Sequence, residues 1–184
     1  RQQRRLLGAG PARILGRRQE YQGVTVLLID PAGDLFVPAT LYGGTFMVKS
    51  ARDSEVLPLH QDWSMVEEEE YRTLFVWCPL VDLSVENGGL FVLPGSHRYF
   101  RSLRSGSYPS DRFVLPAQLH RHVVDVPLRA GEGVLYSDAL FHGSHANNGA
   151  RDRIVVTARV MESAGELVYF QPANAVNFKS LTVP

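Results

Sequence analysis

The chain has 184 residues, 45% of them hydrophobic and 10% aromatic, which is enough apolar material for a real core and too much for a disordered segment. Its 19 Lys and Arg balance 19 Asp and Glu, so the formal charge is zero and no overall field draws it to nucleic acid or to a membrane surface. Cys78 is the only cysteine, which excludes an intrachain disulfide and a cysteine-rich zinc site.

The lone thiol and the absence of an apolar h-region after Arg1-Gln-Gln-Arg-Arg5 point to a reducing, cytoplasmic setting. No apolar run approaches the ~20 residues needed to span a bilayer. The chain opens without Met, so sequence is expected to be missing before Arg1, and internal segments as well.

Residues 1–20 are basic, with Leu6, Leu7, Ile14 and Leu15 spaced loosely as in a helix. From Tyr21 the texture turns to short β-rich runs. Residues 24–29 read as a strand that stops at the turn signal Asp30-Pro-Ala-Gly33. Strands are expected at 45–49 and 72–82, the second bent or placed at an edge by Pro79. Glu86-Asn-Gly-Gly89 reads as a hairpin turn leading into a strand at 90–93, which stops at Pro94-Gly-Ser-His-Arg98. Residues 99–118 are mixed and read as a long loop, a natural lid. Strands follow at 123–126, 134–136, 153–160 and 167–170, with a turn at Gly131-Glu-Gly133.

There is no internal repeat and no linker between hydrophobic blocks. Residues 1–184 are therefore expected to form one domain, mainly β, with a few peripheral helices. Many short strands broken by regular turns mean a sandwich or barrel, and a jelly roll (a double-stranded β-helix, cupin-like) fits best. Its mouth collects side chains from both sheets, so residues far apart in sequence can meet there.

The stretch with the most chemistry is Leu57-Pro-Leu-His-Gln-Asp-Trp63. In a strand, His60 and Asp62 would share a face. Imidazole nitrogen and carboxylate oxygen are both ligands that iron accepts. A third ligand is available in Leu140-Phe-His-Gly-Ser-His145, at His142 or His145. These two differ by three positions and would face opposite ways on a strand, so only one points inward. Two His and one carboxylate are the facial triad of non-haem Fe(II) oxygenases. His-x-Asp alone is commonly just a surface pair, so the downstream blocks decide. His120 and His122 form a His-x-His pair on an expected strand, but with no third partner nearby a solvated face is the better reading. His97 reads as structural, its side chain bonding loop backbone.

These blocks together resemble the phytanoyl-CoA dioxygenase family of Fe(II)/2-oxoglutarate oxygenases, from about Thr45 to Val160. The anchors are Leu59-His-Gln-Asp-Trp63, the strand holding Trp77, Glu86-Asn-Gly-Gly-Leu-Phe-Val-Leu-Pro-Gly-Ser-His-Arg98, Gly131-Glu-Gly133, and His142-Gly-Ser144 followed by Asn147 and Arg153. The resemblance implies the double-stranded β-helix, and more N-terminal sequence than this chain shows. It implies that His60, Asp62 and His142 hold Fe(II), with His142 chosen over His145 because it precedes Gly-Ser. It implies 2-oxoglutarate and dioxygen as cosubstrates, with release of succinate and CO2. Asp62 stands where related halogenases have a small residue, which favours hydroxylation or another oxidation.

The distal carboxylate of 2-oxoglutarate needs a cationic fork, and arginine supplies one. Arg151 and Arg153 would fall on one strand face; the family spacing favours Arg153. Ser144 resembles the family serine at that carboxylate. Trp77 stands where the family often carries an aromatic beside the cosubstrate, and a core tryptophan reads equally well. Gln61 and Lys49 are further polar residues near the site in sequence, Lys49 as a second cation or as a surface lysine.

Substrate signals conflict. Glu67-Glu-Glu-Glu70 is acidic, whereas Arg98, Arg101, Arg104 and Arg112 are basic, and Trp63 could line the substrate side. The expected partner is a small molecule, with oxidation of one of its C–H bonds. Two alternatives are a jelly-roll binding module with a vestigial metal site and a cupin-type metal isomerase or hydrolase.

Overall fold

The computed structural model describes residues 14–21, 24–29, 39–100, 103–105, 115–172 and 178–182. Two four-stranded antiparallel sheets face each other. The first holds β3 (Ala39–Lys49), β10 (Arg153–Glu162), β5 (Thr73–Pro79) and β8 (Val134–Ser137), in that order. The second holds β4 (Leu57–His60), β9 (His142–Ser144), β6 (Leu90–Val92) and β7 (Val124–Val126). From β3 to β10 the chain passes back and forth between the sheets, remaining in the second only for the β6–β7 step. This is the jelly roll expected from the strand pattern. Two separate hairpins pair β1 (Ile14–Tyr21) with β2 (Val24–Ile29), and β11 (Val168–Pro172) with β12 (Phe178–Thr182).

The core lies between the sheets. Phe75, Trp77 and Val155 from the first sheet meet Leu90, Val92 and Val126 from the second, all buried. Each such side chain contributes about 1.5–3 kcal/mol over its exposed state. The period-2 alternation in β5 (buried at 73, 75, 77 and 79) is what places Trp77 inward.

Several expectations need correction. Residues 14–21 form a strand, not part of a helix, while Leu6, Leu7 and the Asp30–Gly33 turn lie outside the described residues. Asn87-Gly88 does not close a hairpin: β5 and β6 belong to different sheets, and the turn carries the chain across. The turn itself is present, and Gly88 has the positive φ of 83° that favours glycine. His120 and His122 sit in an exposed 3-10 helix (Ala117–His122) rather than a strand. Pro79 is on an interior strand, but at its last residue. The β8 partners run only from Leu74 to Trp77, so the missing N–H falls beyond that ladder. Much of the 99–118 loop, including Arg101 and Arg112, lies outside the described residues.

Candidate active site

His60 is the last residue of β4, and His142, the first residue of β9, is its paired neighbour. Pairing across adjacent strands brings the two rings to 4.3 Å between centroids. In both, Nδ1 stands 2.9 Å from a backbone carbonyl, Pro58 O for His60 and Leu140 O for His142. A carbonyl only accepts, so each Nδ1 carries the proton and each Nε2 keeps a free lone pair.

Asp62 arrives differently from the way strand parity predicts. β4 has ended, and the Asp62 N–H donates to the Asp138 carbonyl at 3.0 Å, in the loop between β8 and β9. One carboxylate oxygen, Oδ2, is buried without a hydrogen-bond partner and lies 3.7 Å from His142 Nε2. One ligand atom from each of His60, Asp62 and His142 lies within 4.8 Å of the others. Two imidazole nitrogens and an orphaned carboxylate oxygen suit a divalent first-row metal, and an unpartnered buried oxygen is costly without one.

Burial pushes the His142 imidazole down to about 4; His60 lowers it further, while Asp62 pulls the other way. His142 is therefore neutral near pH 7, the form a metal needs.

A cavity of about 300 Å³ opens beside these residues, lined among others by Met47, Leu57, Phe75, Trp77, Tyr136, Ser144, Arg153 and Arg159. Arg153 is buried, and its Nε and Nη1 have no partner. Its guanidinium carbon lies 5.6 Å from the Trp77 ring centroid, so Trp77 is both core and cavity wall. Arg151, by contrast, is exposed before β10 begins.

Lys49 is buried behind Ser144 rather than lining the cavity. Its ammonium reaches Ser144 Oγ at 3.1 Å, His145 O at 2.7 Å and Glu55 O at 3.0 Å, which occupies all three of its protons. Because Ser144 Oγ accepts from Lys49, its own proton is available to the cavity. Ser144 O–H and the partnerless Arg153 nitrogens Nε and Nη1 are all donors on residues that line one cavity, which is what a carboxylate needs. Burial, then the neighbouring Arg153, lowers the Lys49 pKa.

Gln61 points away from this cavity, its amide donating to Phe100 O at 2.8 Å and Ala139 O at 2.5 Å. It ties the site loop to neighbouring backbone and contacts no ligand position. His145 turns outward to Asp125, with Nε2 2.6 Å from Oδ1. Trp63 is exposed, and of the acidic run Glu68 pairs with Arg104. The Pro94–Arg98 turn has a structural part: Ser96 Oγ accepts the Phe141 N–H at 2.8 Å, bracing the approach to His142.

Sequence reasoning missed Arg159, Asp138, Tyr42 and Tyr136. Arg159 Nη2 donates to Asp62 Oδ1 at 2.8 Å, and its Nη1 lies 3.4 Å from Asp138 Oδ2. Tyr42 OH donates to the same Asp138 oxygen at 3.2 Å. The Tyr136 ring lies 4.7 Å from His142. A signal for Arg159 existed: Arg153, Val155, Thr157 and Arg159 alternate along one strand face. Asp138 is fully buried, and burial lifts its carboxyl to about 6, with Arg159 opposing and Asp62 adding to the rise. Burial likewise opposes the charge of Arg159, but Asp62 and Asp138 outweigh it and hold the guanidinium above its usual value.

Comparison with known proteins identifies relatives of this chain. Residues 27–155 match the family described as Phytanoyl-CoA dioxygenase (PhyH). The chain is 36% identical over 121 residues to Phytanoyl-CoA dioxygenase domain-containing protein 1 of Bos taurus, covering 61% of this chain and 41% of that protein. The chain spans about half or less of the length of the curated relatives it matches. Among solved structures it resembles the non-heme alpha ketoglutarate dependent carbocyclase SnoK from nogalamycin biosynthesis, with TM-score 0.60, 25% identity, and coverage of 72% of this chain and 54% of that one. It shares its fold with EvdO2 from Micromonospora carbonacea var. aurantiaca, solved with 2-oxoglutarate, at TM-score 0.52 and 22% identity over 77% of this chain and 56% of that one.

Proposed function

The chain belongs to the phytanoyl-CoA dioxygenase family, and on that premise we propose that it is an Fe(II)/2-oxoglutarate-dependent dioxygenase that hydroxylates or otherwise oxidises a C–H bond of a small molecule, of the kind met in secondary metabolism. Residues 1–184 act as one catalytic domain in this reading. His60, Asp62 and His142 hold the metal. Arg153 and Ser144 hold the distal carboxylate of the oxo acid, Trp77 walls its pocket, and Lys49 orients Ser144. When bound, iron supplies the redox chemistry by which 2-oxoglutarate and dioxygen become succinate and CO2 while the substrate is oxidised.

The observation that carries this is a pair of unsatisfied groups in one cavity. Asp62 Oδ2 lacks a cation and Arg153 lacks an anion. Buried groups of this kind are paired in native proteins, so each marks a ligand position. Among the cavity walls, Met47, Leu57 and Phe75 are apolar, which keeps competing water from the reacting centre. The complete triad with a free carboxylate oxygen favours catalysis over a vestigial binding module.

Anaerobic titration with Fe(II) and then 2-oxoglutarate tests the reading. A weak visible charge-transfer band should grow to one equivalent of each. No band at saturating concentrations of both would refute it, and turnover without any oxo acid would favour an isomerase or hydrolase.

A further inference from the structure

Asp62 has two carboxylate oxygens, and the structure treats them differently. Oδ1 accepts Arg159 Nη2 at 2.8 Å, while Oδ2 faces His142 unpartnered. We propose that Arg159 is a positioning residue that confines Asp62 to a single metal-facing oxygen, and so keeps one coordination position free for dioxygen. This rests on the dioxygenase reading above.

Two imidazoles and one carboxylate oxygen leave three sites open on an octahedral ion. A chelating oxo acid takes two, and dioxygen needs the third. A carboxylate can also bind a metal through both oxygens. If Asp62 did so, it would take the position that dioxygen requires. The distance between the two modes is a small rotation of one side chain, so something must hold the rotamer.

Arg159 is built to hold it. Its guanidinium carbon lies 4.7 Å from the centroid of the Phe75 ring, which supports the planar group from one face. Its Nη1 leans on Asp138 Oδ2 at 3.4 Å, and Tyr42 OH donates to that oxygen at 3.2 Å. Asp138 also accepts the Asp62 N–H through its own carbonyl at 3.0 Å. Asp138 thus grips Asp62 twice, directly through backbone and indirectly through Arg159. A lysine could hold the same oxygen as a point charge, whereas a leucine could not.

The test uses the purified chain loaded anaerobically with Fe(II) and 2-oxoglutarate, with nitric oxide as the probe for the open position. In the native protein the half-integer-spin EPR signal of the iron–nitrosyl should form with the oxo acid bound. Arg159→Leu should keep the Fe(II)·2-oxoglutarate band but lose the nitrosyl signal about tenfold or more, and Arg159→Lys should restore most of it. A nitrosyl signal of native size in Arg159→Leu would overturn the proposal. So would loss of the 2-oxoglutarate band in that variant with nitrosyl formation intact, which would make Arg159 a direct contact of the oxo acid. If Arg159→Leu does not fold, Asp138→Asn/Arg159→Leu removes the stranded charge and faces the same two outcomes. Absence of any band in the native protein is a different failure, that of the dioxygenase reading itself.

Discussion

Lys49 Nζ donates to Ser144 Oγ at 3.1 Å, and its other two protons go to the carbonyls of Glu55 and His145. The buried ammonium therefore hydrogen-bonds to the cavity lining through the serine. Lys49→Met should weaken 2-oxoglutarate binding about tenfold, the loss of roughly one charge-assisted hydrogen bond, with a smaller change in kcat. In a Ser144→Ala background the same substitution should do much less, because the two residues work as a unit. Steady-state titration of the oxo acid in the four proteins checks this; additive effects would place Lys49 outside the unit.

Arg153 lines the cavity, and two of its nitrogens, Nε and Nη1, have no hydrogen-bond partner. Arg153→Lys keeps the charge but loses the planar fork. It should raise the KM for 2-oxoglutarate by about ten- to a hundredfold, with Arg153→Leu worse still. Isothermal titration of the metal-loaded protein measures it directly.

Asp62→Ala removes the one carboxylate of the triad and should abolish succinate formation. The measurement is succinate released per enzyme under saturating Fe(II) and oxo acid. Normal turnover in that variant would take the carboxylate out of the mechanism.

Gly143 sits between His142 and Ser144, and a Cβ there would overlap the Leu57 carbonyl and the Phe91 ring. One of those contacts is backbone, which cannot swing aside. Gly143→Ala should push β9 away from β4 and separate His142 from His60. The expected result is Co(II) affinity lowered at least tenfold, together with destabilisation of about 1–3 kcal/mol, read by metal titration and urea unfolding.

Two buried groups give the metal-free protein opposing pH slopes. His142 is depressed from 6.5 to about 4, chiefly by burial, so its contribution is present above about 6.5 and lost as pH falls towards 4. Asp138 is raised from 3.8 to about 6, again chiefly by burial, so its contribution is present below 3.8 and lost as pH rises through 6. Across about pH 4 to 6 the two oppose each other. Asp138→Asn removes the second slope, so the stability of the variant relative to the native protein should climb with pH over this window by up to about 3 kcal/mol. Urea unfolding of both proteins at several pH values tests it, and a constant difference would refute it.

Local features of the site were legible because they are written over a few neighbouring residues. The alternation in residues 73–79 marks a half-buried strand whether or not its partners are known, and Gly88 and Gly131 mark turns because side chains resist their positive φ. His60, His142, Ser144 and Arg153 line one cavity. Gln61 bonds to Phe100 and Ala139 and Lys49 to Ser144, contacts that nearness in sequence does not reveal, because it says nothing about where a side chain points once its strand has ended or its partner has been met.

By itself the sequence determined most of the central strands and the jelly-roll class, and it singled out candidate site residues, since periodicity and motif are short-range properties; the strands at 14–21 and 178–182 were not read from it. Only the tertiary structure decided how those residues are held. Asp62 is held beside His142 by the Asp138 backbone, and its partner Arg159 comes from 97 residues away. Lys49 meets Ser144 across 95 residues. Such pairings depend on sheet register and on which strands face each other, and those are set by the packing of the whole core rather than by any segment of it.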